Sequence, residues 1–225
     1  MEIAREGLAK PRGRYVTLEM PSVSVLDERD AAVIETCAAE LRALLPPEGP
    51  VLVLGIGNRR VTADALGPRT AQKILVTMGP QHTLPVKGIR PVAAIAPGVA
   101  ASTWRTLRQP AGALWEAVRP AALICVDSLS SAEGARLGRS VQFSDTGLYP
   151  AQADHAKHLD AAALGVPVIA AGIPTLMDSD EGADLVVTPR ALDSVIAHGS
   201  ALLAGAINRA LQPRLSGAQL FWLAG

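Results

Sequence analysis

The sequence has few aromatic residues and no excess of charge of either sign. Aromatic residues make up 3% of the 225 residues, so the core must be built from aliphatic side chains and alanine. Basic and acidic residues number 21 each, so no overall positive field attracts a polyanion, and a nucleic-acid partner is not expected. The apolar runs are too short to cross a bilayer and no signal core follows Met1. A cytoplasmic protein with no membrane contact is therefore expected.

Cysteine and histidine are also scarce. Cys37 and Cys125 are too few for a disulfide framework, and each lies in an apolar run, which predicts buried and unreactive thiols. His155 and His158 are three residues apart and close to Asp154, a spacing that would suit a metal on a helix face. Nothing nearby completes a ligand set, so this polar stretch is predicted to be solvated surface.

Short apolar runs alternate with segments of helical spacing. This order predicts a single α/β domain over residues 1–225, in which helices cover both faces of a mainly parallel sheet in three α/β/α layers. Residues 1–20 are expected to form an N-terminal arm and 213–225 a loose tail. The predicted strands are 51–56, 91–96, 122–126 and 167–171, and the predicted helices are 29–45, 66–77, 111–118, 155–163 and 191–211.

Two aspartates follow the apolar runs at positions where a parallel sheet collects its ligands. Asp64 comes after the first run and a glycine-containing turn, and Asp127 directly follows the run 122–126. The carboxyl ends of parallel strands share one edge, so both side chains are expected there. The alternative is structural: Asp64 would cap a helix, and Asp127 would accept hydrogen bonds from loop amides.

Other site patterns are incomplete. A dinucleotide-binding G-x-G-x-x-G motif starting at Gly55 would need glycine where Arg60 stands, and no phosphate-binding P-loop is present. Ser128 has no evident partnering base. Asp145-Thr146-Gly147 matches the tripeptide of pepsin-type proteases, but those enzymes pair two all-β halves, so a turn is the better interpretation.

Many ordered blocks of the sequence resemble the germination proteases of spore-forming bacteria, which degrade small acid-soluble spore proteins. The blocks include Gly13–Glu19, Gly57-Asn58, Asp64–Pro68, Arg90–Val92, Ile95–Val99, Val126–Leu129, Ser144–Gly147, Gly165–Ala170, Gly172–Thr175 and Val187–Arg190. The resemblance implies an α/β/α fold related to that of hydrogenase maturation proteases. It also implies a cytoplasmic endopeptidase of the spore core that needs no cofactor and assembles as a homo-oligomer such as a tetramer.

The resemblance marks Asp64 and Asp127 as the catalytic pair, sharing one proton and activating one water. Substrate-binding or supporting roles are expected for a wider set of residues, namely Gly57, Asn58, Ser128, Asp145, Thr146 and Tyr149. Among these, Asn58 and the amides near Gly57 are expected to donate hydrogen bonds to a developing oxyanion.

The sequence also departs from the family. Tyr149 stands where the family usually has a histidine, which argues against a metal there. The removable pro-segment of the family is missing, and an insertion before Val187 is reduced to a short loop, so zymogen control and substrate choice are not carried over. Two alternatives stay open. One is a metal-dependent maturation endopeptidase of the hydrogenase type with the same aspartates as ligands. The other is a catalytically silent relative that binds a protein partner.

Overall fold

The computed structural model describes residues 11–26, 30–78, 87–98, 112–148, 159–178 and 186–224. Seven strands are present in these segments: β1 (Tyr15–Glu19), β2 (Val51–Gly55), β3 (Val92–Ile95), β4 (Ala122–Ser130), β5 (Ser140–Ser144), β6 (Val168–Asp178) and β7 (Val186–Val187). The helices are α1 (Ala31–Leu44), α2 (Leu66–Ala71), α3 (Gly112–Val118), α4 (Ala161–Leu164), α5 (Leu192–Leu211) and α6 (Gly217–Ala224).

One sheet joins all seven strands, in the order β1-β5-β6-β4-β2-β3, with β7 paired to β6. Its centre is parallel, because β3, β2, β4 and β6 run in the same direction. Beyond β6 the pairing is antiparallel, with β5 on β6 and β1 on β5. The predicted α/β fold is confirmed. Asp64 and Asp127 lie at the carboxyl edge of the parallel strands.

Alternate residues of the central strands enter two separate hydrophobic cores. Val51 and Val53 face the core formed with α1, α2 and α5, whereas Leu52 and Leu54 face the core that includes α3. All five residues of β2 are buried, as expected for a strand that is covered on both faces. The sheet is therefore the middle of three layers.

Capping interactions fix where two of the helices begin. The carboxylate of Asp30 accepts hydrogen bonds from the amides of Ala32 and Val33 at the start of α1. Asp160 does the same for Ala163 in α4. Such caps satisfy amides that have no partner within the helix.

The two cysteines are free and buried, as predicted. Burial raises the pKa of Cys37 to about 12 and also raises the pKa of Cys125, so both thiols stay protonated. Within the described residues, no helix is long and apolar enough to span a membrane.

The structure extends the sequence-based assignment at several points. Strand β4 continues to Ser130 because it stays paired with β6 past the apolar core, and β6 continues to Asp178 because its last residues pair with β7. The antiparallel strands β1 and β5 were not predicted. At the C-terminal end, where a loose tail was expected, α6 packs through the buried Leu220. Of the predicted helix 155–163, residues 155–158 lie outside the described segments, and α4 covers 161–164.

A buried glutamine joins the end of α5 to the strand at the sheet edge. Gln212 is 2% exposed; its Oε1 accepts from the Arg90 amide at 2.9 Å, and its Nε2 donates to the Arg90 carbonyl at 2.8 Å. This pair of bonds imitates the pairing of one more strand residue just before β3.

We expect Gln212→Ala to lower the free energy of unfolding by about 2 kcal/mol, because the Arg90 amide loses its partner and the Arg90 carbonyl keeps only the Thr77 hydroxyl as a donor. Urea denaturation at pH 7 measures the change. The control is Glu116→Ala, at an exposed position of α3, where the change should stay within about 0.5 kcal/mol. Equal effects of the two substitutions would contradict this account of Gln212.

Candidate active site

The loop after β2 folds back on itself so tightly that glycine is required at position 57. Gly57 has φ +121°, and a Cβ there would lie 2.1 Å from the Asp64 carbonyl oxygen and 2.8 Å from Asp64 Oδ1. A 3₁₀ turn, Thr62–Asp64, then leads into α2. The loop thus packs its own backbone against the Asp64 carboxylate.

A second glycine brings α2 against the backbone of β4 and of the residue that follows β2. A Cβ on Gly67 would lie 2.2 Å from the carbonyl oxygen of Ile56 and 2.3 Å from that of Val126. Val126 immediately precedes Asp127 on β4, and Asp64 lies three residues before Gly67. This close backbone contact fixes both aspartates at the same edge of the sheet, as the strand-end argument predicts.

Each aspartate is oriented by one backbone amide. The Asn58 amide donates to Asp64 Oδ2 at 2.7 Å, and the Ser128 amide donates to Asp127 Oδ1 at 2.7 Å. The second carboxyl oxygen of each has no hydrogen-bond partner among the described residues. One oxygen of each group is therefore held and the other is left to interact with a ligand.

Burial and mutual repulsion make the two carboxyl groups hard to ionise together. The pKa of Asp127 is raised from 3.8 to about 7, first by burial and second by the charge of Asp64, while the Ser128 amide partly offsets the increase. Burial also raises the pKa of Asp64, and the hydrogen bond from the Asn58 amide partly offsets this increase. The pair therefore favours a state in which it carries one proton.

The Asn58 amide has a different task from the expected one. Because it already donates to Asp64 Oδ2, it holds a carboxylate rather than standing ready for an oxyanion. The Asn58 side-chain Oδ1 accepts from the Arg60 amide at 3.0 Å and so shapes the turn that follows.

Thr175 supports the site although sequence reasoning gave it no role. It is fully buried on β6, and its hydroxyl donates to the Ala63 carbonyl at 2.9 Å, which ties the residue before Asp64 to the sheet. A hydroxyl residue within a buried strand was the available signal. Ser128 is close to Asp127 in the chain, and its Oγ is buried with no partner among the described residues.

The Asp145-Thr146 turn lies away from the aspartate pair. Ser144, at the end of β5, stands opposite Ala170, whereas Asp127 stands opposite Gly172 on the other side of β6. The turn is thus two strand spacings away, roughly 10 Å, and toward the other end of β6. Asp145 Oδ1 accepts from the Arg14 amide at 2.7 Å, and the Thr146 and Ser144 hydroxyls hydrogen bond at 2.6 Å.

The remaining candidates concern Tyr149 and possible metal ligands. Tyr149, His155 and His158 lie outside the described residues. Within the described segments, no group of three or more histidine, cysteine, aspartate or glutamate side chains is arranged to hold a metal ion. Asp64 and Asp127 are the carboxylates that the fold brings together at this edge.

Comparison with known proteins gives a consistent family. A family model described as germination protease matches residues 1–181. A germination protease of Clostridium perfringens is 32% identical over an alignment covering 95% of this chain and 82% of that protein. One from Priestia megaterium is 34% identical, with 88% and 56% covered. The [NiFe] hydrogenase maturation protease HycI from Thermococcus kodakarensis aligns with a TM-score of 0.47 and 17% identity, over 76% of this chain and 99% of that structure.

The raised pKa of Asp127 should make the protein less stable as the pH increases. Between the ordinary pKa of 3.8 and the folded value of about 7, only the unfolded chain gives up this proton. The free energy of unfolding should therefore fall by about 1.4 kcal/mol per pH unit in this window. In Asp127→Asn this loss should disappear, so the variant should match the parent near pH 4 and be more stable at pH 8. Parallel pH profiles of denaturant unfolding would contradict the assignment.

Proposed function

The chain belongs to the germination protease family, and from this premise we propose that Asp64 and Asp127 hydrolyse peptide bonds of small acid-soluble spore proteins. The observation that carries the proposal is the position of two partly buried carboxyl groups at one edge of the sheet, each held through one oxygen by a backbone amide. A protein with this substrate acts in the spore core. We propose no cofactor.

The two aspartates take different roles in the proposed reaction. Asp127, which is repelled by Asp64 and has the pKa of about 7, keeps the shared proton. Asp64, held by the Asn58 amide, is the ionised base. Unequal environments of this kind separate the tasks of two neighbouring carboxyl groups.

Hydrolysis then proceeds through a tetrahedral diol. The Asp64 carboxylate takes a proton from a water bound between the two groups, and the water oxygen attacks the scissile carbonyl carbon. Asp127 transfers its proton to the carbonyl oxygen as the carbon–oxygen double bond opens. The leaving nitrogen next receives the proton held by Asp64, the carbon–nitrogen bond breaks, and Asp127 recovers its proton as the carboxyl product forms.

The surrounding residues support this proposal as positioning groups. The Thr175 hydroxyl and Gly57 hold the loop that carries Asp64, and the Ser128 amide orients Asp127. Asp145 and Thr146 are assigned to the turn that binds Arg14 rather than to the reaction.

We expect Asp64→Asn and Asp127→Asn each to reduce cleavage of a purified small acid-soluble spore protein by at least about a thousandfold, because each removes an acid–base group. Fragments are followed by mass spectrometry. The matched control is Asp145→Asn, the same chemical change at the Asp-Thr-Gly turn, which should leave cleavage within about threefold of the parent.

The same assay separates the alternatives. Full activity of either variant at the aspartate pair would refute the proposed mechanism. Inactivation by a chelator, with recovery on adding metal, would favour the metal-dependent maturation endopeptidase. Binding of the spore protein without any cleavage by the parent chain would favour the catalytically silent relative.

We also propose that the protein self-associates, as the family resemblance implies. Supporting this, α6 exposes 83% of Trp222 and 59% of Leu223 to solvent. Large apolar side chains at such neighbouring positions are typical of contact surfaces.

Trp222→Ser should shift the sedimentation distribution toward the monomer, because it removes the largest exposed apolar side chain of α6. The control is Val25→Ser, an apolar residue that is 74% exposed elsewhere on the surface. An unchanged distribution in the tryptophan variant would exclude α6 as the contact.

A further inference from the structure

The side-chain hydroxyl of Ser128 is a buried polar group that the proposed reaction does not use. Its Oγ is buried and has no hydrogen-bond partner among the described residues. A hydroxyl that is removed from water without a partner costs free energy, so native proteins seldom keep one. Next to a candidate active site, such a group points to a contact that forms only when a ligand is bound.

Ser128 lies on the face of the sheet that α2 covers. Side chains alternate along a strand, and Ile124 and Val126, at the preceding even positions of β4, belong to the core formed with α2. The regular pairing of β4 with β6 continues through Leu129, so this alternation holds at position 128. Ser128 pairs with Ile173, which belongs to the same core. The hydroxyl is therefore on the side of α2 and of the turn that precedes it.

The 3₁₀ turn that carries Asp64 crosses β4 above this position. On one side it packs on Gly57, which follows β2, because a Cβ there would lie 2.8 Å from Asp64 Oδ1. On the other side the Thr175 hydroxyl of β6 donates to the Ala63 carbonyl at 2.9 Å. In the sheet, β4 lies between β2 and β6. The turn therefore covers β4, which explains why the Ser128 hydroxyl is buried.

Asp64 and Ser128 also lie at the same level along the sheet. The Gly67 backbone contacts the Val126 carbonyl, which gives a common reference point. Ser128 is two residues beyond Val126 on β4, or roughly 7 Å toward the carboxyl edge. Asp64 is three residues before Gly67, or roughly 5 Å in the same direction, because α2 runs back from that edge. The two levels thus differ by about 2 Å.

Asp64 has a free acceptor at this place. Its Oδ2 accepts from the Asn58 amide, whereas its Oδ1 has no hydrogen-bond partner among the described residues. The Ser128 amide already donates to Asp127 Oδ1 at 2.7 Å, so the hydroxyl is the donor of this residue that is left for Asp64. Hydrogen bonds of catalytic groups are often too long in unliganded enzymes and tighten when the substrate binds.

We propose that Ser128 is a positioning residue whose hydroxyl donates a hydrogen bond to Asp64 Oδ1 when a peptide occupies the site. The bond is absent in the unliganded chain, and in the complex it orients the Asp64 carboxylate toward the attacking water. A carboxylate oxygen has two lone pairs, so Oδ1 accepts from the hydroxyl and from the water together. Through its amide and its hydroxyl, Ser128 then contacts both aspartates. The inference rests on the proposed function, since it assumes a peptide bound at Asp64.

Ser128→Ala should reduce kcat by about tenfold for a peptide that contains one cleavage site of a small acid-soluble spore protein. KM should stay within about twofold, because the bond serves the reacting carboxylate rather than substrate binding. The same variant should melt roughly 2 °C higher than the parent, because it removes a buried hydroxyl that has no partner in the free chain. An unchanged kcat, or a loss of activity and stability together, would overturn the inference.

The pH dependence distinguishes this role from a general disturbance of the site. A donor to the ionised Asp64 lowers the pKa of that group, so its loss should move the acid limb of the kcat profile to higher pH by roughly half a unit. The acid limb of kcat/KM reports the free enzyme and should stay in place, because the bond is absent there. Equal shifts of both limbs, or no shift of either, would contradict the inference.

Two further variants separate the hydroxyl from its volume and from its position. Ser128→Cys fills similar space with a weak donor and should behave like Ser128→Ala. Full activity of the thiol variant would assign the effect to packing and reject the inference. Ser130→Ala is the matched control, because it makes the same change at an exposed position further along β4. It should keep kcat, KM and both acid limbs, and an equal loss in this variant would also count against a specific role of Ser128.

A measurement without turnover keeps this inference separate from the proposed hydrolysis. The carboxyl carbon of Asp64 is titrated by carbon-13 NMR with a hydroxyethylene isostere of the peptide bound, in the parent and in Ser128→Ala. The pKa of Asp64 should be higher in the variant complex. If the parent cleaves no peptide, the proposed hydrolysis fails and this comparison alone decides the role of Ser128. Equal pKa values in the two complexes, or no binding of the isostere, would then reject it.

Discussion

The contact of the Gly67 backbone with Ile56, just after β2, and with Val126, in the middle of β4, is the constraint on which the site depends. Because no side chain separates α2 from the Ile56 and Val126 carbonyls, the helix begins in direct contact with the backbone of both neighbouring strand segments. Asp64 lies on the turn that precedes α2, and Asp127 directly follows Val126 in β4. The two side chains therefore lie at the same edge of the sheet. Backbone packing thus determines the positions of the two aspartates, and these positions determine the burial and the charge environment of their carboxyl groups.

Proximity and burial act in the same direction on these groups. Partial burial makes each charge costly, and the charge on one raises the pKa of the other, while one amide for each keeps the ionised form accessible. A more polar surrounding would leave both carboxylates ionised, and a drier one would leave both protonated. The amides of Asn58 and Ser128 hold the pair between these limits.

The sequence predicts the parts of this structure whose patterns are strong. Buried runs such as Val51–Gly55 identify the parallel strands, and the edge rule then places Asp64 beside Asp127. The antiparallel strand β1 was not predicted, because it is short and only its alternate residues Val16 and Leu18 are partly buried. The role of Thr175 was not predicted, because it depends on a hydrogen bond to Ala63, which is 112 residues away in the sequence, and local sequence patterns do not show such contacts.

The N-terminal strand forms the outer edge of the sheet beside β5. The Arg14 amide binds Asp145, and β1 then covers the outer hydrogen-bonding groups of β5 along five residues. Shortening the protein from its N-terminus as far as Glu19 would uncover a row of unsatisfied peptide groups beside Val141 and Phe143. Such an edge recruits strands from neighbouring molecules. We therefore expect a version shortened to Glu19 to aggregate and to be recovered mainly as insoluble protein.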